Sequence, residues 1–343
     1  EVAARRPAPQ AAWATSRAAA AEPGGFDLRT LCGRRTEPYA AAPLEEHGTL
    51  PADIVVAAVS AAGRKGGRSS VNQDSAAARC CSDGRLIGLV LDGHGDEGHR
   101  CAERLCATLP GLLERALGAA DVPAALAAAF AEAERDLETA ASQASFSVEH
   151  SGSAAAAVGL CPAQGTAYLA SCGDCQAVVF DAASGAFEAT VPHKAHDAAE
   201  GQRIRAAGGL IRARAEEDGE VFSRVYPPSG IFGLAMSRSF GDLCVKRHGV
   251  IAEPSVLTLP ITERSCCVLG SDGLFEFLKP AEVVAMLRQR LPAHGSAVCA
   301  DALVAEAQRR WQEFEGAYCD DVSCLILGSA SALPGEPQLA LLD

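Results

Sequence analysis

The chain has 343 residues, 48% of them apolar, and a formal net charge of −13 at pH 7. This apolar content is ample for a sizeable core, so we expect a globular protein of one large or two small domains. The acidic charge would repel nucleic acid and anionic membranes, and no basic run offsets it. The balance therefore argues against polyanion binding as the main function.

The hydrophobic runs and the cysteines indicate the cellular compartment in which we expect the protein. No run of about 18 or more apolar residues occurs, so the sequence predicts no transmembrane helix. The 14 cysteines are spread over the chain, lie mostly in apolar stretches and lack the paired CxxC pattern of structural zinc sites. We interpret most of them as buried small hydrophobic residues in a reducing compartment. We expect a soluble cytoplasmic monomer, with the nucleus as the open alternative.

Composition divides the chain into three parts. Residues 1–50 are rich in Ala, Pro, Gly and Arg without a hydrophobic period, which predicts a flexible N-terminal arm and leaves open one docked segment. A folded domain is expected at 51–329, beginning near Ile54. Residues 330–343 lack strand or helix patterns and are predicted to be a C-terminal tail.

Short apolar runs bounded by turn residues predict strands, and longer runs with apolar residues at helical spacing predict helices. In chain order, strands are expected at residues 54–59, 86–91, 154–160, 166–171, 177–180, 255–259, 266–269 and 322–327, and helices at 97–118, 121–144, 280–291 and 296–314. Only a short turn separates 166–171 from 177–180, which favours a hairpin. Strands and helices are partly segregated, so we predict a layered α+β fold with paired antiparallel sheets covered by helices.

Aspartates recur where the predicted strands end or begin, and two of the four are followed directly by glycine. The residues concerned are Asp92, Asp174, Asp272 and Asp320. If these boundaries share one rim of a sheet, the carboxylates converge, which is tolerated chiefly when a cation neutralises them. Sites made only of oxygen ligands suit Mg²⁺, Mn²⁺ or Ca²⁺. Any single aspartate at such a place is explained as well by an ordinary turn, but four aspartates at strand boundaries together favour a divalent metal site. Gly93 and Gly95 would let the backbone approach an ion.

The residues around these aspartates form a series of motifs. In order they are Asn-Gln-Asp at 72–74, Asp-Gly-His-Gly at 92–95, Ser-Gly-Ser at 151–153, Gly-Asp at 173–174, His-Lys at 193–194, Gly-Leu-Ala-Met-Ser-Arg-Ser-Phe-Gly-Asp at 233–242, Ser-Asp-Gly-Leu-Phe at 271–275 and Asp-Asp-Val-Ser at 320–323. The series resembles that of the type-2C metal-dependent protein serine/threonine phosphatases over about residues 52–328. Each motif alone is weak, but eight in the family's order are highly specific.

The resemblance implies a four-layer α-β-β-α sandwich of two antiparallel sheets, with a metal cleft at one sheet edge. It also implies two Mg²⁺ or Mn²⁺ ions, with a third and weaker ion in some relatives. The implied ligands are Asp92, the carbonyl of Gly93, Asp272 and Asp320, with Asp174 for the third ion and Asp74 acting through a water or from a second layer.

The resemblance further implies a reaction on phosphoprotein substrates. A water activated between two metal ions would attack the phosphorus of phosphoserine or phosphothreonine without a covalent intermediate. His94 would protonate the leaving oxygen. Arg68 is the best candidate for binding the substrate phosphate, with Lys65 second. Arg238 and Asp242 are expected to support the site.

Gln73 departs from the family pattern, which often has Glu at this place. A neutral amide there is expected to weaken the second metal site. This departure keeps open an alternative, a catalytically silent relative that binds partners through the same fold. A third hypothesis is a hydrolase of small phosphate esters, which the acidic rim alone would permit.

Overall fold

The computed structural model describes residues 12–16, 26–28, 54–65, 68–69, 71–144, 146–215, 219, 221–329 and 332. Most of the predicted arm and tail therefore lies outside the described residues. The strands are β1 (Ala12–Ser16), β2 (Phe26–Leu28), β3 (Ile54–Ala61), β4 (Arg64–Lys65), β5 (Arg68–Ser69), β6 (Asp74–Cys80), β7 (Leu86–His94), β8 (Gly152–Cys161), β9 (Thr166–Cys172), β10 (Gln176–Asp181), β11 (Phe187–Ala189), β12 (Leu210–Ala215), β13 (Val221–Tyr226), β14 (Phe240–Gly241), β15 (Ser255–Pro260), β16 (Ser265–Gly270) and β17 (Val322–Ser329). The helices are α1 (Gly98–Leu117), α2 (Val122–Ala144), α3 (Ala198–Ala206), α4 (Leu243–Lys246), α5 (Asp272–Phe275) and α6 (Pro280–Phe314).

The main strands form two antiparallel sheets. The six-stranded sheet has the order β1-β3-β17-β16-β10-β11. The seven-stranded sheet has the order β15-β9-β8-β7-β6-β2, and its seventh strand, β14, pairs with β8. The two short strands of the predicted arm, β1 and β2, pair with β3 and β6 at sheet edges. Two small hairpins, β4–β5 and β12–β13, lie apart from the sheets.

Three apolar cores separate four layers. The first lies between the sheets and combines residues such as Ala58 of β3 with Val90 of β7. The second packs α1 and α2 against the outer face of the seven-stranded sheet, to which Leu89 and Leu91 contribute. The third packs α5 and α6 against the six-stranded sheet. Successive residues of β7 thus enter different cores, because side chains of a strand alternate between faces. The predicted α+β sandwich is confirmed.

Helix α6 contains a sharp break. Gly295 has φ 73° and ψ 169°, which are not helical values. Glycine adopts this backbone conformation without the steric cost that a Cβ would impose. The break separates two helical halves, as the predicted helices at 280–291 and 296–314 require.

The predicted hairpin between 166–171 and 177–180 is wrong. β9 pairs with β8 and β15, whereas β10 pairs with β16 and β11. The three residues 173–175 therefore cross from one sheet to the other, and Gly173 turns the chain with φ 94°. A short connection alone does not distinguish a hairpin from such a crossing.

The remaining global features agree with the sequence. Within the described ranges, no helix combines the length and apolar character needed to cross a membrane. The thirteen cysteines in this part of the chain are buried thiols, which confirms their interpretation as small core residues.

Candidate active site

Five aspartates lie at one end of the sandwich, where strands of both sheets end or begin. Each of the other four acts electrostatically on Asp92, which places them around it. The seven-stranded sheet supplies Asp74 and Asp92, which face each other across the β6–β7 pairing. The others are Asp272 at the start of α5, Asp320 before β17, and Asp174 in the crossing between the sheets. The structure thus brings together the aspartates that the sequence singled out.

The carboxylates repel one another. Burial raises the pKa of Asp92 well above its usual value, and Asp272 and Asp74 raise it further. Burial likewise raises the pKa of Asp272 to about 8, with further contributions from Asp174 and Asp320. Acidic groups close together in a poorly solvated place favour a bound cation, because its charge offsets theirs.

Partial exposure separates the aspartates into two groups. Asp92, Asp272 and Asp320 are half-buried, whereas Asp74 and Asp174 are buried. Asp74 accepts a hydrogen bond from Ser271 Oγ at 2.7 Å through Oδ2, while its Oδ1 is buried without a partner among the described residues. The three accessible carboxylates face solvent, and the two buried ones lie behind them.

Asp174 is paired with Lys194. Lys194 Nζ donates to Asp174 Oδ2 at 2.7 Å, and Asp174 Oδ1 is buried without a partner in the described part of the chain. Burial would raise the pKa of Asp174, but the neighbouring ammonium lowers it below its usual value. The carboxylate is therefore held in its charged form.

The donor set fits a hydrated divalent ion better than a closed protein cage. Among the described residues, no three of His, Cys, Asp or Glu converge closely enough to hold a metal by themselves. Mg²⁺ commonly takes one or two carboxylates and keeps several waters, so such a cage is not required. The all-oxygen donors and the orphaned buried oxygens of Asp74 and Asp174 are compatible with this kind of site.

His94 ends β7 and is held by Asp242. Its Nε2 lies 2.7 Å from Asp242 Oδ2, while Nδ1 is buried without a partner among the described residues. Burial would lower the pKa of His94, but the carboxylate of Asp242 raises it above its usual value. Asp242 is fully buried and also accepts a hydrogen bond from Ser239 Oγ at 2.7 Å.

The turn that carries Asp242 is itself fixed. Both Gly241 and Asp242 have positive φ, 71° and 54°, and Asp242 is the one non-glycine residue with positive φ in the described structure. The backbone N–H of Gly241 donates to Glu134 Oε2 at 3.0 Å, and Lys246 forms an ion pair with the same carboxylate. Helix α2 thus braces the turn that directs Asp242 at His94.

Gln73 binds the loop that carries the central motif. Its Nε2 donates to the carbonyl of Gly95 at 2.7 Å, a bond that a glutamate carboxylate could not make. Asp321 fixes the two neighbouring loops by accepting from the backbone N–H groups of Gly63 at 2.6 Å and Gln73 at 2.8 Å. These two side chains hold the rim of the cleft.

The glycines of the central motif are required by close backbone packing. A Cβ on Gly93 would lie 2.3 Å from the carbonyl oxygen of Gly98. Gly95 has φ 81°, and a Cβ there would lie 2.2 Å from the carbonyl oxygen of His150. This packing explains both glycines without an ion.

The predicted phosphate-binding residues lie in the small hairpin β4–β5. Lys65 is exposed on β4 and attracts the buried carboxylate of Asp321, so it lies near the acidic rim. Arg68 pairs with Lys65 through the backbone, but its side chain lies outside the described residues. Its predicted contact with phosphate stays a prediction.

A cleft of about 570 Å³ opens beside the aspartates. Its acidic end includes Asp174, Asp272 and Asp320, and its other walls include Lys194, Phe222 and Arg224. Strand β13 contributes Phe222 and Arg224, so the β12–β13 hairpin borders the site.

Two contacts of the site were missed by sequence reasoning. The Lys194–Asp174 pair and the His94–Asp242 pair join residues 20 and 148 positions apart. Periodicity and strand boundaries carry no signal for such pairings. The motifs at 193–194 and 233–242 were the available indications that these segments approach the aspartates.

Comparison with known proteins agrees with this geometry. The family model described as protein phosphatase 2C matches residues 66–313. The probable protein phosphatase 2C 64 of Oryza sativa subsp. japonica is 34% identical over 76% of this chain and 64% of its own length. The probable protein phosphatase 2C 48 of the same organism is 31% identical over 86% of this chain and 90% of its own length.

The share of each relative that is covered varies. A third relative, the probable protein phosphatase 2C 14 of Oryza sativa subsp. japonica, is 39% identical, but the match spans 41% of this chain and 27% of the relative. For this relative and for the 2C 64 protein, the chain spans less than two thirds of the relative's length.

Solved structures share the fold. A serine-threonine phosphatase 2C from Toxoplasma gondii superimposes with a TM-score of 0.66 at 17% identity, covering 82% of this chain and 96% of that chain. A C. elegans sex determining protein superimposes with a TM-score of 0.64 at 18% identity, covering 82% of this chain and 65% of that one. At this level of identity, the likeness concerns the fold alone.

Proposed function

Because this chain belongs to the protein phosphatase 2C family, we propose that it is a metal-dependent protein phosphatase acting on phosphoserine and phosphothreonine. One observation carries the proposal: aspartates from both sheets meet at a single cleft beside a histidine held by a buried carboxylate. Carboxylates near a polarised histidine are suited to metal-assisted hydrolysis of a phosphate ester.

The accessible aspartates are the proposed metal ligands. Asp92, Asp272 and Asp320 would hold two Mg²⁺ or Mn²⁺ ions with the carbonyl of Gly93, and Asp74 would act through water from behind them. Bound divalent ions supply a water nucleophile at neutral pH and offset charge on the phosphoryl group. The chain keeps Asp74 in place through Ser271, whose hydroxyl donates to it and accepts from the backbone N–H of Ser323 at 3.0 Å.

His94 is the proposed general acid. With Nε2 directed at Asp242, Nδ1 is the atom left to give a proton to the departing seryl or threonyl oxygen. Asp242 fixes the orientation of the ring and favours its protonated form.

The absence of a covalent phospho-enzyme is part of the same proposal. The thiol of Cys175 beside these aspartates is buried, and burial together with Asp92 raises its pKa well above the usual value, which keeps it protonated. The hydroxyl of Ser271 is buried and donates to Asp74.

Phosphate binding is proposed for Arg68 first and Lys65 second. Lys65 supports this assignment by its exposure and its position near Asp321. The cleft beside the aspartates is open and bordered by the β12–β13 hairpin, which suits a peptide segment better than a small enclosed ester. Phosphoproteins are therefore the proposed substrates.

Hydrolysis of a phosphothreonine peptide tests the proposal. The wild type is assayed with Mn²⁺, Mg²⁺ or EDTA, in the presence of okadaic-type inhibitors of the other phosphatase class. We expect turnover that requires the metal and resists the inhibitor, and that is abolished in Asp92→Asn and Asp272→Asn. Asp83→Asn is the matched control, because Asp83 pairs with Arg85 on the surface away from the aspartates.

Two outcomes would redirect the assignment. Well-folded wild type without turnover at millimolar Mn²⁺ would support the silent relative that binds partners. Equal turnover of a small sugar phosphate and the phosphopeptide would support a hydrolase of small esters. Full activity of Asp272→Asn would remove Asp272 from the ligand set.

A comparison of leaving groups tests the role of His94. Threonine is a poor leaving group and needs a proton, whereas p-nitrophenol leaves without one. His94→Gln and Asp242→Asn are therefore expected to slow phosphothreonine peptide hydrolysis by roughly 10²-fold or more and p-nitrophenyl phosphate hydrolysis far less. Equal slowing of both substrates would argue that His94 serves only structure.

A further inference from the structure

Lys194 places an ammonium group at one end of the candidate metal cleft. Its Nζ donates to Asp174 Oδ2 at 2.7 Å, and the side chains of Lys194 and Asp174 are 29% and 4% exposed. The same ammonium interacts electrostatically with Asp272, the first residue of α5, and with Glu276, which directly follows α5. Lys194 is thus oriented towards the acidic cluster and not towards solvent.

The backbone builds this contact into the fold. The N–H of His193 donates to the carbonyl of Gly173 at 2.9 Å, and the N–H of Gly173 donates to Nδ1 of His193 at 3.2 Å. The next residues along each segment, Lys194 and Asp174, are consequently placed side by side. The contact does not depend on a chance orientation of a long surface side chain.

Asp174 also keeps a free coordination position. Its Oδ1 is buried and has no hydrogen-bond partner among the described residues, although Oδ2 is bound to the ammonium. A divalent ion approaching Oδ1 would come close to Nζ, and two positive charges a few ångströms apart repel strongly in a poorly solvated site. A metal ion and the ammonium therefore compete for this carboxylate.

We propose that Lys194 is the resident cation of Asp174 and sets the number of divalent ions that the cleft holds, an inference that rests on the proposed function. With Lys194 in place, the cleft holds two ions tightly. A third ion binds at Asp174 only when the ammonium is displaced, and its affinity is correspondingly low.

Counting bound Mn²⁺ by equilibrium dialysis at fixed ionic strength tests this inference without an activity measurement. In Lys194→Met, we expect the weakest Mn²⁺ site to bind at least tenfold more tightly than in the wild type, with the two tighter sites little changed. Lys194→Arg keeps the charge and should resemble the wild type. Adding Asp174→Asn to Lys194→Met should remove the gained affinity.

Arg224→Met is the matched control. Arg224 lines the same cleft and is exposed, and its Nη1 donates to the carbonyl of Gly233, so its loss removes one positive charge without touching Asp174. Identical binding curves for this variant and the wild type would show that the effect of Lys194 is local. Lys194→Gln is a second neutral variant, used if Lys194→Met does not fold.

The outcomes distinguish a failure of the inference about Lys194 from a failure of the proposed function. If Lys194→Met and Lys194→Gln bind the same number of Mn²⁺ ions as the wild type at the same affinities, the inference is overturned and the proposed function stays intact. A tenfold gain that also occurs in Arg224→Met would overturn it as well, because general electrostatics would then explain the result. Wild type that binds no Mn²⁺ would overturn the proposed function itself.

Discussion

Replacing Glu200 with Gln removes the charge at the centre of a buried ionic cluster. The carboxylate of Glu200 accepts hydrogen bonds from Nη1 and Nη2 of Arg203 at 2.8 and 2.7 Å. It also accepts hydrogen bonds from Nη2 of Arg238 at 2.7 Å and from Oγ of Ser237 at 2.5 Å. Its side chain is 7% exposed. Arg238 and Ser237 begin the segment that leads to Asp242, so the cluster also supports the position of His94.

The magnitude follows from burial. Removing one partner of a buried ion pair leaves the other charge uncompensated, which costs about 3–5 kcal/mol. Exposed pairs contribute about 0.2–1 kcal/mol, because water screens them. Glu313→Gln is the matched control, since Glu313 pairs with Arg309 on the surface of α6 and both side chains are more than half exposed, 55% and 57%.

Urea denaturation at pH 7 measures both losses as changes in the free energy of unfolding. We expect Glu200→Gln to lose about 2 kcal/mol or more of unfolding free energy beyond the loss in Glu313→Gln, because the pairs of Glu200 are buried and that of Glu313 is exposed. Equal losses would refute the reasoning, because they would show that burial of the cluster does not strengthen it.

The stability that the Glu200 carboxylate contributes decreases at low pH. Burial opposes ionisation of Glu200, but hydrogen bonds from Arg203, Arg238 and Ser237 lower its pKa below the usual 4.5. The stability that this carboxylate contributes is therefore fully present above pH 4.5 and is lost as the pH falls towards the pKa of the folded state. The difference between wild type and Glu200→Gln should be constant from pH 7 to pH 5 and should shrink below 4.5.

Two further predictions concern the packing around the site. Gly93→Ala should destabilise the protein by about 1–3 kcal/mol in urea denaturation, because its Cβ would meet the Gly98 carbonyl, whereas Gly111→Ala in α1 meets no atom within 3.6 Å and should cost nothing. Burial and Arg238 lower the pKa of His193 from 6.5 to about 4, so the protein should lose roughly 3 kcal/mol of stability as the pH falls through this range. Unfolding of His193→Gln should show a flatter pH dependence, and an unchanged slope would contradict the assignment.

Local patterns predicted α1, α2, both halves of α6 and eight of the seventeen described strands, but not α3, α4 or α5. The apolar spacing of residues 121–144 identified α2, and the predicted helices at 280–291 and 296–314 correspond to the two halves of α6 on either side of Gly295. The partner strands of β9 and β10 could not be predicted correctly, because the choice of partner depends on the sheets as a whole. The two strands were expected to pair with each other, but they lie in different sheets. A three-residue connection is compatible with both arrangements.

The candidate site was predictable to the level of its aspartates. Strand boundaries and motif order identified Asp92, Asp174, Asp272 and Asp320 before their proximity was seen. Asp242 was expected to support the site, but the contacts of Gln73 with Gly95, Lys194 with Asp174 and Asp242 with His94 were not predictable, because only the folded chain creates them. That Gln73 weakens a metal site stays a prediction, and the hydrogen bond from its amide to the Gly95 carbonyl is a contact that the sequence did not indicate.

The crossing at 173–175 makes the acidic end the place where the two sheets are joined most directly along the chain. Asp92 lies in the seven-stranded sheet, and Asp272 follows β16 of the six-stranded sheet. An ion bound between these two carboxylates would bind only the folded state, since unfolding separates them. Such a ligand stabilises by RT ln(1 + [L]/Kd), which is about 2.7 kcal/mol at a concentration of 100 Kd. If the proposed ions bind there, the concentration of divalent cations would set part of the free energy of unfolding of the domain.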